Sequence, residues 1–304
     1  MFLRPFYGEN FTTPQHMAAQ QTTWVSVAVN LVLTFAQVIF GVVTGSQGLV
    51  ADGIHSASDL LSDGLVLWTN QHSQKAPDDD HPYGHYRFET AASLVLGLLL
   101  VIVGVSIIVP AVRALTVHSA VLSRNISTLA LLIALATILI KEGLFRYMLK
   151  EAERVRSSLL IANAWHARSD AASSFVVALG ILGSRAGYPL LDLIAALIVG
   201  LIVGRTGLGF AWTALQDLMD RAIEEDSLKQ ITESLLSTKG VLGIHDLRTR
   251  KVGDLIWVDV HLEVDGTISV EEGHDIGVAA KHSVMNVIPA VLNVMTHIDP
   301  VKVA

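Results

Sequence analysis

Six stretches of this 304-residue chain are long and apolar enough to span a bilayer, near residues 22–42, 46–70, 88–112, 124–146, 158–183 and 188–210. A spanning helix needs about 20 such residues. Hydrocarbon offers the backbone no hydrogen bonds, so only helices or closed barrels can cross it. The chain therefore reads as an α-helical membrane protein with a six-helix transmembrane bundle. Composition agrees, with 51% of residues hydrophobic and 16% charged, against about a quarter charged in soluble domains. The second and fifth stretches are the least pure. Each carries ionisable groups at helical spacing, which are costly in hydrocarbon unless they face a bundle interior or a watery path.

In the second stretch the polar residues are Asp52, His55, Asp59 and Asp63, separated by three, four and four positions. Those steps return to nearly the same face of a helix. The fifth stretch repeats the first two steps with Asn163, His166 and Asp170. Two spans thus carry the same His-x-x-x-Asp stripe. A single membrane histidine reads most simply as a hydrogen-bonding contact between helices. Two matched pairs read either as a metal-free proton relay or, if the helices face each other, as a four-coordinate N/O site suited to Zn²⁺. In the second case two carboxylates neutralise the dication.

Residues 1–21 mix charge, proline and polar groups without a continuous apolar core, so they read as a cytosolic tail and not as a cleavable signal. Basic residues cluster beside the fourth-to-fifth link (Lys141, Arg146, Lys150, Arg154, Arg156) and the second-to-third (Lys75, Arg87). The other side has Arg113, Arg124 and Arg185. The positive-inside bias then places both termini in the cytoplasm. In the second-to-third connection, Asp78, His81 and His85 again step by three and four beside Asp79 and Asp80, with Gly84 allowing a tight bend. This is either a solvated acidic loop or an ion site.

Past residue 212 the pattern becomes that of a soluble domain, 212–304, led by a helical, charge-rich stretch from Ala214 to Leu236. Ile256, Val258, Val260, Leu262 and Val264 alternate with Trp257, Asp259, His261 and Glu263, as in a half-buried strand. A hairpin turning at Val252-Gly253-Asp254, a helix near 270–288 and a strand near 291–298 complete an α-β-β-α-β sandwich. Its His245, His261, His274 and His297, with Asp299, are either scattered surface groups or a metal site. Several functions fall away. The chain has no cysteine, which removes thiolate catalysis and Cys-based zinc sites and argues against Cu(I). A net charge of −7 without a basic arm argues against nucleic acid. The absence of His-Glu-x-x-His argues against a membrane metalloenzyme.

The segments "VADGIHSASD", "DDDHPYGHYRFE", "AWHARSD", "GIHDLRTRKVG" and "THIDP" together resemble the cation diffusion facilitators, especially bacterial zinc and iron efflux members, from Thr22 to Pro300. The resemblance implies six spans in the inner (cytoplasmic) membrane, a ferredoxin-like cytosolic domain and a homodimer. It implies a transport site at His55, Asp59, His166 and Asp170, and a less uniform loop site at Asp78, His81 and His85. It also implies a dimer-bridging ion pair of sites held by His245, His261, His297 and Asp299, with His274 as a further candidate. Arg87 and Asp220 occupy the places of a charge interlock between the third span and the end of the sixth. Asp52 and Asp63 are not regular ligands of the family and, with Asn163, read as supporting or proton-path groups. Iron/zinc members often carry Asp where His55 stands, and imidazole there favours Zn²⁺ over Cd²⁺ or Mn²⁺. The implied function is Zn²⁺/H⁺ antiport by alternating access, with cytosolic metal sites regulating the dimer. Fe²⁺, Co²⁺, Cd²⁺ and Mn²⁺ stay open as cargo of the same antiporter, and a metal-sensing or assembly protein with little transport is the rival class.

Overall fold

The computed structural model describes residues 14–73, 75, 77–116, 127–155 and 158–301. Six long helices come first: α1 (Pro14–Thr44), α2 (Gln47–Ser73), α3 (Arg87–Thr116), α4 (Thr128–Arg154), α5 (Ser158–Arg185) and α6 (Leu190–Leu218). They are followed by α7 (Glu225–Leu236), β1 (Gly243–Val252), β2 (Leu255–Asp265), α8 (Val270–Val287) and β3 (Val291–Val301). Every expected span is a helix. By length and composition, Gln21–Thr44, Arg87–Thr116, Thr128–Arg154 and Leu190–Leu218 are apolar enough to cross a membrane. Among the described residues α2 and α5 fall short of that hydropathy, and they are the two helices with the polar stripes.

The chain divides into two compact units, residues 1–64 with 99–207 and residues 65–98 with 208–304. In the first, α4 packs along α5 and against α1. Small residues let backbones approach where hydrocarbon supplies no hydrophobic drive. A Cβ placed on Gly104 of α3 would stand 2.7 Å from the Cα of Gly204 on α6, and one on Gly41 of α1 would stand 2.7 Å from the Val50 nitrogen of α2. The α1–α2 turn is closed by a carboxylate from α6. Asp192, 3% exposed, accepts from Ser46 Oγ at 2.6 Å, the Gln47 amide at 2.8 Å and the Gly48 amide at 3.3 Å. A buried anion here satisfies the free amides of the α2 N-terminus and sits at the positive end of its dipole.

One sequence reading needs correction. Lys141, Arg146, Lys150 and Arg154 do not lie in a connection but inside α4, which has 27 residues and so runs about 40 Å. That exceeds the roughly 30 Å hydrocarbon layer, so the last basic residues still mark an emerging helix end. Lys141 does not, because it is buried at 4% exposure. It cannot be counted as a loop charge for orientation.

In the second unit the sheet order is β1-β2-β3, with β1 and β2 antiparallel and β2 and β3 parallel. The strict alternation along β2 holds: Ile256, Val258, Val260, Leu262 and Val264 are buried while their neighbours are not. Val258, Val260 and Leu262 pack with Ile231 and Leu235 of α7 and with Ala280 and Val284 of α8. Both helices thus cover one face of an α-β-β-α-β, ferredoxin-like sheet, and the other face presents polar side chains. The hairpin turns where expected, with Gly253 at φ 63°, a conformation only glycine adopts without strain. The charge-rich lead-in is not one helix. It breaks after Leu218, Asp220 takes a left-handed φ of 58°, and α7 starts at Glu225. A short polar side chain is among the few non-glycine types that tolerate this geometry.

Candidate metal centres

Three groups of side chains each offer N and O ligand atoms within 4.8 Å of one another. The first, in the helical unit, joins His55 and Asp59 of α2 to Asp170 of α5. His55 Nδ1 lies 3.8 Å from Asp59 Oδ1, one helical turn away, and all three residues are half-buried. Helical spacing puts His55 and Asp59 on one face, and the packing of α5 brings in Asp170. The fourth expected ligand, His166, stands one turn before Asp170 on α5, and its side chain lies outside the described residues, as do those of Asp63 and Asn163.

Beside this group runs a buried polar network. Asp52, 1% exposed, accepts from Gln37 Nε2 of α1, and Ser173 Oγ of α5 lies 3.0 Å from its other oxygen. Ser173 Oγ is also 2.7 Å from the Asp170 carbonyl, and its single proton can serve only one of these acceptors at a time. Lys141 Nζ of α4 donates to Ser56 Oγ at 3.3 Å and to the Asp170 carbonyl at 3.4 Å. The sequence reading placed Asp52 in a supporting role and Lys141 among the orienting charges, but passed over Gln37, Ser173 and Asp192. Their signal is weak. Gln37 and Asp192 are single polar residues in apolar runs, Ser173 stands beside Ser174, and only the meeting of α1, α4, α5 and α6 with α2 gives them meaning.

The second group lies in the α2–α3 connection. His81 Nδ1 and His85 Nε2 are each 3.3 Å from an oxygen of Asp78, and the two rings are 4.4 Å apart. Gly84, at φ 83°, makes the bend, with its amide donating to the His81 carbonyl at 2.9 Å. The His81 amide donates to Asp78 at 2.7 Å, and this bond holds the Asp78 carboxyl below its ordinary range. Asp79 and Asp80 are exposed and outside the group. Next in the chain, Arg87 of α3 donates to Asp220 in a direct ion pair.

The third group is built by strand register. His245 pairs with His261 across β1–β2, and His261 with His297 across β2–β3. Three imidazoles therefore form one row on the open face of the sheet. Asp299, two positions beyond His297, shares that face. Its carboxylate lies 2.8 Å from His261 Nδ1, 3.1 Å from His245 Nε2 and 3.3 Å from His297 Nε2. The hydrogen bond with His261 is the largest influence holding Asp299 below its ordinary pKa, ahead of the charges of the histidines. A bulge follows His245 immediately, with Asp246 at φ 49°, a device that re-aims side chains at a sheet edge. His274 is not brought into this row. It lies exposed on α8, beside Ile298 and Pro300 on the helix-covered face, so the sheet stands between it and the other histidines.

The chemistry of the third group carries a pH sign. Asp299, held below its ordinary range, offers an ionised carboxylate through the neutral range, and metal and protons compete for the ligand atoms of the group. Metal binding there is expected to weaken as pH falls. His261→Ala should raise the metal concentration needed by about 10-fold or more. Titration calorimetry of the full chain at two pH values reads both effects, and an unchanged isotherm would rule His261 out as a ligand.

The sequence matches the cation efflux transmembrane domain over residues 23–219 and the cation efflux protein cytoplasmic domain over residues 223–301. The chain belongs to the cation diffusion facilitator family. Metal tolerance protein C1 of Arabidopsis thaliana is 34% identical to it over 288 residues, which are 91% of this chain and 61% of that protein. The chain thus spans less than two thirds of that relative's length. An uncharacterized transporter of Methanocaldococcus jannaschii is 34% identical over 258 residues, covering 85% of this chain and 90% of that one. The manganese efflux system protein MneP of Bacillus subtilis is 28% identical over 289 residues, covering 93% and 96%. All three groups of this cation diffusion facilitator fall inside the matched segments, the first two in the transmembrane match and the third in the cytoplasmic one.

Proposed function

We propose that this cation diffusion facilitator is a divalent-metal efflux antiporter that exchanges Zn²⁺ for protons at His55, Asp59, His166 and Asp170. The supporting observation is the approach of His55, Asp59 and Asp170 to one point inside the helical unit. Neutral imidazole and ionised carboxylate bind metal, and their protonated forms do not, so metal and protons compete for the same atoms. Two carboxylates balance the dication, which lowers the cost of holding it away from water. Moving one charge across the membrane is worth about 2.3 kcal/mol per 100 mV. At least two protons must therefore enter per Zn²⁺ for the exchange not to work against an inside-negative potential. Asp52, held by Gln37 and Ser173, is assigned to the proton path and not to the metal ligands.

The ligand types favour Zn²⁺ as cargo. An imidazole at position 55 suits a borderline ion better than a hard one, whereas the manganese efflux relative keeps Mn²⁺ as the main rival. We assign the protein to the inner (cytoplasmic) membrane with both termini in the cytoplasm, residues 22–211 forming the membrane domain and 212–304 the cytosolic domain. Two copies pair, and metal filling the His245–His261–His297–Asp299 row regulates the pair. Regulation requires that the row bind metal more tightly in one state of the dimer than in the other.

Flux measured in proteoliposomes for Zn²⁺, Cd²⁺, Fe²⁺, Co²⁺ and Mn²⁺, with and without a proton gradient, tests the reading. Zn²⁺ flux that rises with an opposing proton gradient is the expected result, and gradient-independent leakage would make the protein a channel. His55→Asp is expected to broaden the ion preference toward Cd²⁺. Identical preferences in both forms would remove ligand type as the source of selectivity.

A further inference from the structure

Lys141 is out of place by every ordinary rule for a membrane helix. It stands at the midpoint of the 27-residue α4, equally far from Thr128 and Arg154. About 20 Å of helix therefore separates it from either helix end. It is buried at 4% exposure, the one buried lysine or arginine among the described residues. A buried charge within a membrane helix is expensive and marks a functional site.

Its partners say which function. Nζ donates to Ser56 Oγ, the residue after His55, and to the carbonyl of Asp170. The side chain thus reaches from α4 to both ligand-bearing helices, α2 and α5. It touches the backbone of one ligand and the neighbour of another.

We propose that Lys141 is a specificity- and release-determining positioning residue: its ammonium is a fixed cation set beside the transport site that limits how tightly the ligands hold a dication. The inference rests on the transport reading of His55, Asp59 and Asp170. A carrier must let go of its cargo, and a set of imidazoles and carboxylates with no opposing charge would hold Zn²⁺ as a structural site does. A like charge on a residue that touches two ligand-bearing segments acts on a bound dication even in a partly screened interior, on the order of 10- to 100-fold in binding. In the empty site the same ammonium offsets the repulsion of the two carboxylates.

A plain packing role predicts the opposite of this account. If Lys141 only tied helices together, removing it would loosen the ligands and weaken metal binding. The test is Zn²⁺ flux of the full chain in proteoliposomes at fixed pH, read as half-saturating concentration and maximal rate. Lys141→Gln keeps a donor for Ser56 and the Asp170 carbonyl but carries no charge. It is expected to lower the half-saturating Zn²⁺ by about 10-fold or more and to slow the maximal rate. Lys141→Arg keeps the charge and is expected to stay within about 3-fold of the parent in half-saturation. An unchanged or raised half-saturation in Lys141→Gln overturns the proposal, and so does the same downward shift in both variants. If Lys141→Gln does not assemble, Ser56→Ala, which removes one acceptor of the ammonium, must itself move the half-saturation point for the proposal to stand. Asp59→Ala separates the two layers. Retained flux there defeats the transport site itself, whereas lost flux together with an unmoved Lys141→Gln defeats only this inference.

Discussion

Asp170→Ala is expected to cut the proposed proton-coupled Zn²⁺ flux by at least about 100-fold while leaving the protein folded. The expectation follows from which atoms of Asp170 do what. Its carboxylate belongs to the ligand group with His55 and Asp59. The neighbouring groups Lys141 and Ser173 engage its backbone carbonyl instead, and alanine keeps that carbonyl. The substitution therefore removes a proposed ligand and its negative charge without removing the tie from α4 to α5 or the Ser173 contact within α5. Flux in proteoliposomes, together with the elution profile of the purified variant, checks both halves. Retained coupled flux from a correctly assembled variant would end the transport-site assignment. Asp59→Ala carries the same expectation from the α2 side.

The second large effect concerns the α3–α6 crossing. A Cβ on Gly104 would stand 2.7 Å from both the Cα and the nitrogen of Gly204 and 2.9 Å from the Gly200 carbonyl oxygen. All three are backbone atoms, so no side-chain rotation relieves the clash and the helices must part. Overpacking of this kind costs about 1–3 kcal/mol even for a methyl group, and more for a larger side chain. Gly104→Ala is expected to lower the melting temperature of the detergent-solubilised protein by several degrees, and Gly104→Val to reduce the folded yield. The crossing contains its own control. A Cβ on Gly204 meets nothing nearer than the Gly104 Cα at 4.0 Å, so Gly204→Ala should be nearly neutral. Equal melting temperatures for Gly104→Ala and Gly204→Ala would show that this close approach is not what holds α3 to α6.

Much of this protein was legible in local periodicity. The His-x-x-x-Asp steps on α2 and α5 needed only the helical repeat, and the alternation from Ile256 to Val264 needed only the strand repeat. Both periods are properties of the backbone, so they are written into any sequence that forms these elements. The loop spacing of Asp78, His81 and His85, with a glycine to bend it, was equally readable.

Spacing could not say which elements meet. Lys141 read as a charge near a helix end because an apolar run stops there, and only the length of α4 and its packing beside α2 and α5 make it a buried neighbour of the ligands. Asp192 is one polar residue in an apolar span, and only the fold sets it against the α2 N-terminus. His274 looked equivalent to the other histidines, and the sheet separates it from them because α8 covers the opposite face. The row of His245, His261 and His297 required a register between three strands, one pairing antiparallel and the other parallel. Sequence alone thus determined what each helix and strand is and which faces carry chemistry, since those follow from contacts a few residues apart. Only tertiary structure decided which faces look at one another, because that choice is made by close packing between segments far apart in the chain.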